Sequence, residues 1–185
     1  PCQSLADLLT MREHFGADLK GLPVSLCWSW HPKALPAAVP HSFLLQAALA
    51  GCDVTVAHPP GFDLDEDIVT TATIAARSAG GDVSIHHERD NALKGRRLVY
   101  VKSWGPMEGA SRTPESLRPW CIDEAALSPT DNGRVMHCLP VRREVVIAGE
   151  VLDSKRSLIT DQAENRLWAQ TALLELVAKE AGVLQ

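Results

Sequence analysis

Four short stretches place polar chemistry at the ends of apolar runs: His31-Pro32-Lys33, His58-Pro59-Pro60, Lys102-Ser103-Trp104-Gly105 and His137-Cys138-Leu139-Pro140. The last is the densest, because Arg142 and Arg143 follow it at once. A histidine beside a thiol suggests a metal pair, a reactive thiol or an ordinary loop. The spacings give no closed zinc site, since neither His86-His87 nor any other pair sits at ligand distance, and no metal is expected. A thiol–imidazole dyad is disfavoured because adjacent residues on a strand face opposite ways. The remaining chemical reading is a strand-end turn. The Leu139-Pro140 step predicts an extended backbone at Leu139. Its carbonyls would project into a cleft, and the Cys138 thiol would touch a neutral amine. A buried loop cysteine is the equally open alternative.

Lys102 closes an apolar run with no acidic neighbour, a placement that suits the capture of a carboxylate. A solvated surface lysine is the plainer reading. Arg166 lies one turn into a long final helix, where a solvated face is again the plainer reading. Arg142 and Arg143 are expected to open a helix, where the dipole disfavours cations, and sequence assigns them no role. The five tryptophans are mostly expected in the core. Trp104, two residues from Lys102, is expected at a cleft wall.

These residues need elements to position them. Apolar runs at Leu22–Trp30, "CDVTVAH", "DVSIHH", "RRLVYVKSW" and "GRVMHCL" read as strands, with "SLIT" as a last short one. Between them lie helical stretches, among them "SFLLQAALAG", "IVTTATIAARSAGG", "ERDNALKG" and "CIDEAALSPT". The chain opens on a helix with Leu5, Leu8, Leu9, Met11 and Phe15 as its apolar face, and Pro1 suits its first turn. It ends on a helix that Asp161 is expected to cap, with Leu167, Thr171, Leu174 and Val177 on one stripe. Residues 105–119 read as a loop. Strands alternating with helices predict an α/β fold, doubly wound, with a mainly parallel sheet and helices on both faces. Ligands in such folds bind beyond the carboxyl ends of the strands, where the four polar stretches fall.

The 185 residues carry a net charge of −5, which argues against a nucleic-acid backbone as partner. The five cysteines are scattered and odd in number, so a reduced, cytoplasmic chain is expected. No membrane span or signal peptide is expected. No G-x-G-x-x-G follows a strand and no P-loop is present, which disfavours dinucleotides and nucleoside triphosphates. The chain has no initiator Met and opens inside a helix, so it is expected to be a piece of a longer one.

Three stretches together resemble the aspartate/ornithine carbamoyltransferase family. "PCQSLADLLTMREHF" is similar to the helix after the family's His-Pro-x-Gln motif, with that His lying just before Pro1. "MHCLPVRR" is similar to the His-Cys-Leu-Pro loop of ornithine-type members, and "ENRLWAQTALL" to their last helix. "WHPKALPAAVPHS" and "VKSWG" stand where plain ornithine members carry other loops. They look like the N-acylornithine branch, which acts on N-acetylornithine or N-succinylornithine. The family's Ser-x-Arg-Thr phosphate loop has no match here.

The resemblance implies the amino-acid-binding domain of the carbamoyltransferase fold, at residues 21–160. A connecting helix at 1–20 would precede it, and a helix at 161–185 would return to an absent carbamoyl phosphate domain. The implied activity is carbamoyl transfer from carbamoyl phosphate to the δ-amine of N-acetylornithine, in arginine biosynthesis, by a homotrimer without a cofactor. N-succinylornithine, ornithine itself, or a non-catalytic amino-acid-binding role are the alternatives. Gln3 would bind the carbamoyl amide. Cys138 and Leu139 would meet the carbamoyl nitrogen and the attacking amine. Arg166 would hold carbamoyl phosphate, and Lys102 with His31 the acylornithine carboxylate. One departure stands out: where some acetylornithine members carry a carboxylated lysine, this sequence reads Val145-Val146.

Overall fold

The computed structural model describes residues 2–106 and 111–183. Pro1, and residues 107–110 of the expected loop, lie outside the described residues. Five strands form the sheet: β1 (Pro23–Trp28), β2 (Asp53–Ala57), β3 (Asp82–His86), β4 (Leu98–Lys102) and β5 (Arg134–Met136). Their order is β3-β2-β1-β4-β5, and every neighbouring pair is parallel. Successive side chains on a strand face opposite ways, and both faces are covered here. Val24, Leu26, Trp28, Tyr100 and Met136 face one core, whereas Cys27, Val99, Val101 and Val135 face another. This two-sided burial explains why the strands read as nearly continuous apolar runs.

The first face is covered by α1 (Cys2–Phe15), α2 (Ala38–Leu49) and α3 (Glu66–Ala79). The second is covered by the short α4 (Arg89–Leu93), α5 (Glu124–Leu127) and α6 (Gly149–Leu152). The last helix, α7 (Ile159–Glu180), lies along α1. Local chemistry fixes several helix ends. Asp65 accepts hydrogen bonds from the N–H groups of Asp67 (3.0 Å) and Ile68 (3.2 Å), and Gly80 ends α3 in the left-handed region. Asp123 caps α5 through the Ala126 N–H at 2.7 Å. Such caps contribute about 1 kcal/mol each.

Several expectations need correcting. Of the apolar face expected on α1, only Met11 is buried. The stripe turned inward is Ser4, Ala6, Asp7, Thr10 and Met11, and Leu5 is exposed. The reason is that α1 meets α7 through polar side chains, described below. Correspondingly, α7 buries Ile159, Gln162 and Asn165, while Leu167, Leu174 and Val177 are exposed. Asp161 does not cap α7. The helix starts after Leu158, and Asp161 pairs with His14 at 2.8 Å from within the first turn. "SLIT" contributes one bridge, Ser157 to Val135, and no strand. The end of the loop expected at 105–119 is instead a 3-10 helix, Glu115–Trp120.

Candidate active site

The order in which strands are added reverses between β1 and β4: β2 and β3 lie to one side of β1, and β4 and β5 to the other. Loops leaving adjacent strands at such a reversal part company and open a crevice. Register places Trp28, the end of β1, beside Lys102, the end of β4. Beyond them the loops are tied together. The Ser29 hydroxyl donates to the Val146 carbonyl at 2.8 Å, Trp30 Nε1 donates to the Pro114 carbonyl at 2.8 Å, and the Gly105 N–H donates to the Leu35 carbonyl at 2.8 Å. Gly105 must be small: a Cβ there would sit 2.5 Å from the Ala34 Cβ.

A cavity of about 520 Å³ opens at this reversal, lined by His31, Lys33, Lys102, Ser103, His137, Arg142 and Val146 among others. A second of about 280 Å³ adjoins it, lined by Gln3, His137, Cys138, Leu139, Gln162 and Arg166. His137 and Pro140 belong to both, and Lys102, Cys138, Leu139 and Arg166 meet again along a third hollow. The six residues singled out by sequence, Gln3, His31, Lys102, Cys138, Leu139 and Arg166, therefore share one continuous cleft. Five separate parts of the chain bring them there: α1, the loop after β1, the end of β4, the turn after β5 and α7.

The His-Cys-Leu-Pro turn differs from its expected form. Leu139 is left-handed, with φ of 50°, and is not extended; the Leu139-Pro140 bond is cis. A left-handed leucine costs about 1–2 kcal/mol. The turn is held by the Leu139 N–H, which donates to His137 Nδ1 at 3.1 Å, and by the His137 N–H, which donates to Gln162 Oε1 at 2.8 Å. A ring nitrogen that accepts must be unprotonated, so His137 carries its proton on Nε2. Burial, and then the Lys102 cation, push the His137 pKa down to about 3. The imidazole is neutral at physiological pH.

The arginine pair lies on a turn, not on a helix. Arg143 makes a two-pronged ion pair with Asp153 at 2.7 and 2.8 Å. Arg142 lines the larger cavity and has no ion pair among the described residues. Trp104 is not at the cleft wall: it is 1% exposed, and its Nε1 donates to the Phe62 carbonyl at 2.7 Å. Lys33, Arg142 and the buried Ser103 hydroxyl are cleft features that sequence reading left aside. Their signal was position, since each stands within a few residues of a strand end.

No aspartate or glutamate lines these hollows among the described residues. The cleft combines cations (Lys33, Lys102, Arg142, Arg166), a neutral imidazole and a thiol. This favours anionic ligands and opposes protonation of an amine brought inside. Among the described residues no cluster of three His, Cys, Asp or Glu side chains suits a metal, and no helix is long and apolar enough to cross a membrane.

Known proteins agree with this geometry. Residues 34–177 match the family described as aspartate/ornithine carbamoyltransferase, Asp/Orn binding domain. The chain is 39% identical to an N-acetylornithine carbamoyltransferase of Xanthomonas axonopodis pv. citri, over 99% of this chain and 56% of that protein. It is also 39% identical to an ornithine carbamoyltransferase of Parafrankia sp., over 99% of this chain and 57% of that one. A crystal structure of acetylornithine transcarbamylase complexed with acetylcitrulline superposes with a TM-score of 0.90 at 38% identity, covering 94% of this chain and 55% of the other. The chain thus spans about half the length of the relatives it matches. With a parallel sheet reversed at β1/β4, a cationic cleft at that reversal and these matches, the chain belongs to the aspartate/ornithine carbamoyltransferase family.

Proposed function

We propose that this chain is the amino-acid-binding part of an enzyme that transfers the carbamoyl group of carbamoyl phosphate to the δ-amine of N-acetylornithine, giving N-acetylcitrulline and phosphate. The observation that carries the reading is the convergence of Gln3, Cys138, Leu139 and Arg166 on one side of a single cleft, with Lys102 and His31 on the other. The relatives named N-acetylornithine carbamoyltransferase, and the neighbour complexed with acetylcitrulline, support the choice of acceptor.

The chemistry follows from charge. The δ-amine lone pair attacks the carbamoyl carbon, the bond to the phosphate oxygen breaks, phosphate leaves with the electron pair, and the amine's proton passes to the departing phosphate. The amine must arrive neutral, which a cleft of cations without carboxylates promotes. Arg166 opposes the negative charge of the phosphate. Gln3, Cys138 and Leu139 orient the carbamoyl nitrogen, which converts binding into alignment. Lys102, with His31 beside it, holds the acceptor's carboxylate. No step calls for a metal or an organic cofactor.

A second reading, N-succinylornithine as acceptor, is favoured by Lys33 and Arg142, which line the cavity without ion pairs among the described residues and suit a second carboxylate. The exposed apolar stripe of α7 at Leu167, Leu174 and Val177 is the face on which a carbamoyl phosphate domain would rest. The division into a connecting helix at 1–20, a binding domain at 21–160 and a returning helix at 161–185 belongs to this proposal. So do a homotrimeric assembly, a place in arginine biosynthesis and a cytoplasmic setting, the last supported by five free cysteines.

Phosphate release by the full-length protein, given carbamoyl phosphate with acetylornithine, succinylornithine or ornithine in turn, tests the reading. Turnover is expected with an acylornithine. Turnover with ornithine alone would remove the acyl assignment, and none with any acceptor would remove the enzymatic one.

A further inference from the structure

Beneath the cleft, between α1 and α7, lies a carboxylate that the chemistry above does not use. Asp7 is 1% exposed. Its Oδ1 accepts from Gln3 Nε2 at 2.8 Å and from Gln162 Nε2 at 2.7 Å. Each glutamine therefore turns its NH2 group inward and its oxygen outward. Gln3 Oε1 accepts from Arg166 Nη1 at 3.2 Å, and Gln162 Oε1 accepts from the His137 N–H at 2.8 Å. An ionised carboxylate accepts hydrogen bonds and donates none. It is the one side-chain type that forces both amides into this sense without adding a donor of its own.

We propose that Asp7 is a positioning residue for carbamoyl transfer: it fixes Gln3 and Gln162 with their oxygens toward the cleft, and so sets Arg166 and the His137–Leu139 turn together. The inference rests on the activity proposed above and deepens it. Gln3 Oε1 has a second lone pair once Arg166 is satisfied, and it meets the carbamoyl NH2 group as an acceptor. A flipped Gln3 would present a donor to Arg166 and to the carbamoyl nitrogen, both of which are donors. A flipped Gln162 would present a donor to the His137 N–H and release the turn that carries Cys138 and Leu139. One buried group thus holds two walls of the smaller cavity, across 155 residues of sequence.

The groups facing Asp7 are Gln3 on its own helix, Gln162 and Arg166 on α7, and Tyr100 on β4. The Tyr100 hydroxyl and Asp7 Oδ2 are both buried and face each other, and neither has a further hydrogen-bond partner among the described residues. Burial raises the Tyr100 pKa well above its usual value, and the neighbouring Asp7 carboxylate and Cys138 thiol raise it further, so its proton stays in place.

The test uses the full-length protein with Asp7→Leu and Asp7→Asn. Leucine keeps the branching at Cγ and removes both acceptors; asparagine keeps the size and an acceptor at Oδ1. Asp7→Leu is expected to lower kcat/KM for carbamoyl phosphate about 30-fold or more, with the KM for the amino-acid acceptor within about threefold, and Asp7→Asn to recover most of the loss. In parallel, NMR of the side-chain amides of Gln3 and Gln162 reads their orientation without turnover. Both signals should move in Asp7→Leu and hold in Asp7→Asn. Unmoved amides in Asp7→Leu would overturn the role of Asp7 whatever the activity. Equal losses toward both substrates with a lowered melting temperature would also overturn it, in favour of a packing role. A wild-type protein without turnover overturns instead the activity on which the inference rests.

Discussion

The two walls of the cleft are built on opposite plans. The wall of α1 and α7 is wired: Arg166, Gln3, Asp7, Gln162 and the His137 N–H form one chain of hydrogen bonds before any ligand arrives. The wall of the strand ends is open. Lys33, Lys102 and Arg142 line it with no ion pair among the described residues, and Arg143, which does have one, faces elsewhere. The difference teaches where order is needed. In the proposed reaction a small, reactive carbamoyl group needs alignment, which requires groups fixed in advance. A carboxylate on a flexible amino acid needs charge, which unpaired cations supply.

If the comparison holds, damage to the wired wall affects catalysis and damage to the open wall affects binding. The largest expected effect is that of Arg166→Ala, which should lower kcat/KM for carbamoyl phosphate by about 10²–10³-fold, read by steady-state phosphate release. An effect confined to acceptor KM would break the distinction. The wired wall should also carry a cost in stability. Burial, against opposing hydrogen bonds from Gln3 and Gln162, raises the Asp7 pKa from 3.8 to about 6. Ionisation is therefore harder in the folded chain than in the unfolded one. The wild type should match Asp7→Asn below about pH 4 and lose ground as pH rises through 6. Above that the deficit should reach about 3 kcal/mol, seen as a higher melting temperature for the variant at pH 8 than at pH 4, relative to wild type.

On the open wall, Lys102→Ala should raise the acceptor KM about 10- to 100-fold, the worth of a charge-assisted hydrogen bond, with kcat little changed. The smallest effect is expected of Arg142→Ala. Arg142 is exposed, so its removal should raise an acylornithine KM by less than about fivefold, and more at low salt than at high. An Arg142→Ala loss greater for succinylornithine than for acetylornithine would sharpen the comparison by assigning that residue a second carboxylate.

The same contrast governs what could be read from sequence. The open wall was legible because strand ends in a parallel sheet are marked by where apolar runs stop, and Lys102 and His31 stand at such stops. The wired wall was only half legible. Gln3 and Arg166 follow from the resemblance, whereas Asp7 and Gln162 carry no signal in an apolar helical spacing, because the stripes they belong to are polar. Ser4, Asp7 and Met11 lie three and four apart, so the buried stripe was present in the letters but polar in kind. Trp104 was misplaced for a related reason. Past the end of β4 the alternation of faces no longer holds, and the indole turns inward to the Phe62 carbonyl. The left-handed Leu139 contradicts the usual bias of a residue before proline. What decides it is the pair of hydrogen bonds around His137, whose partners are set by the fold of distant segments.

The reversal of strand order at β1 and β4 bears on how such a chain can change over generations. Beyond the strand ends the loops are joined to each other, through Ser29 and Val146, Trp30 and Pro114, and Gly105 and Leu35. Lys33 and Arg142 are exposed on this rim, so a replacement at either disturbs few buried contacts. Acceptor preference can drift while the sheet stays as it is, which makes this rim the part of the fold most open to evolutionary and laboratory retuning.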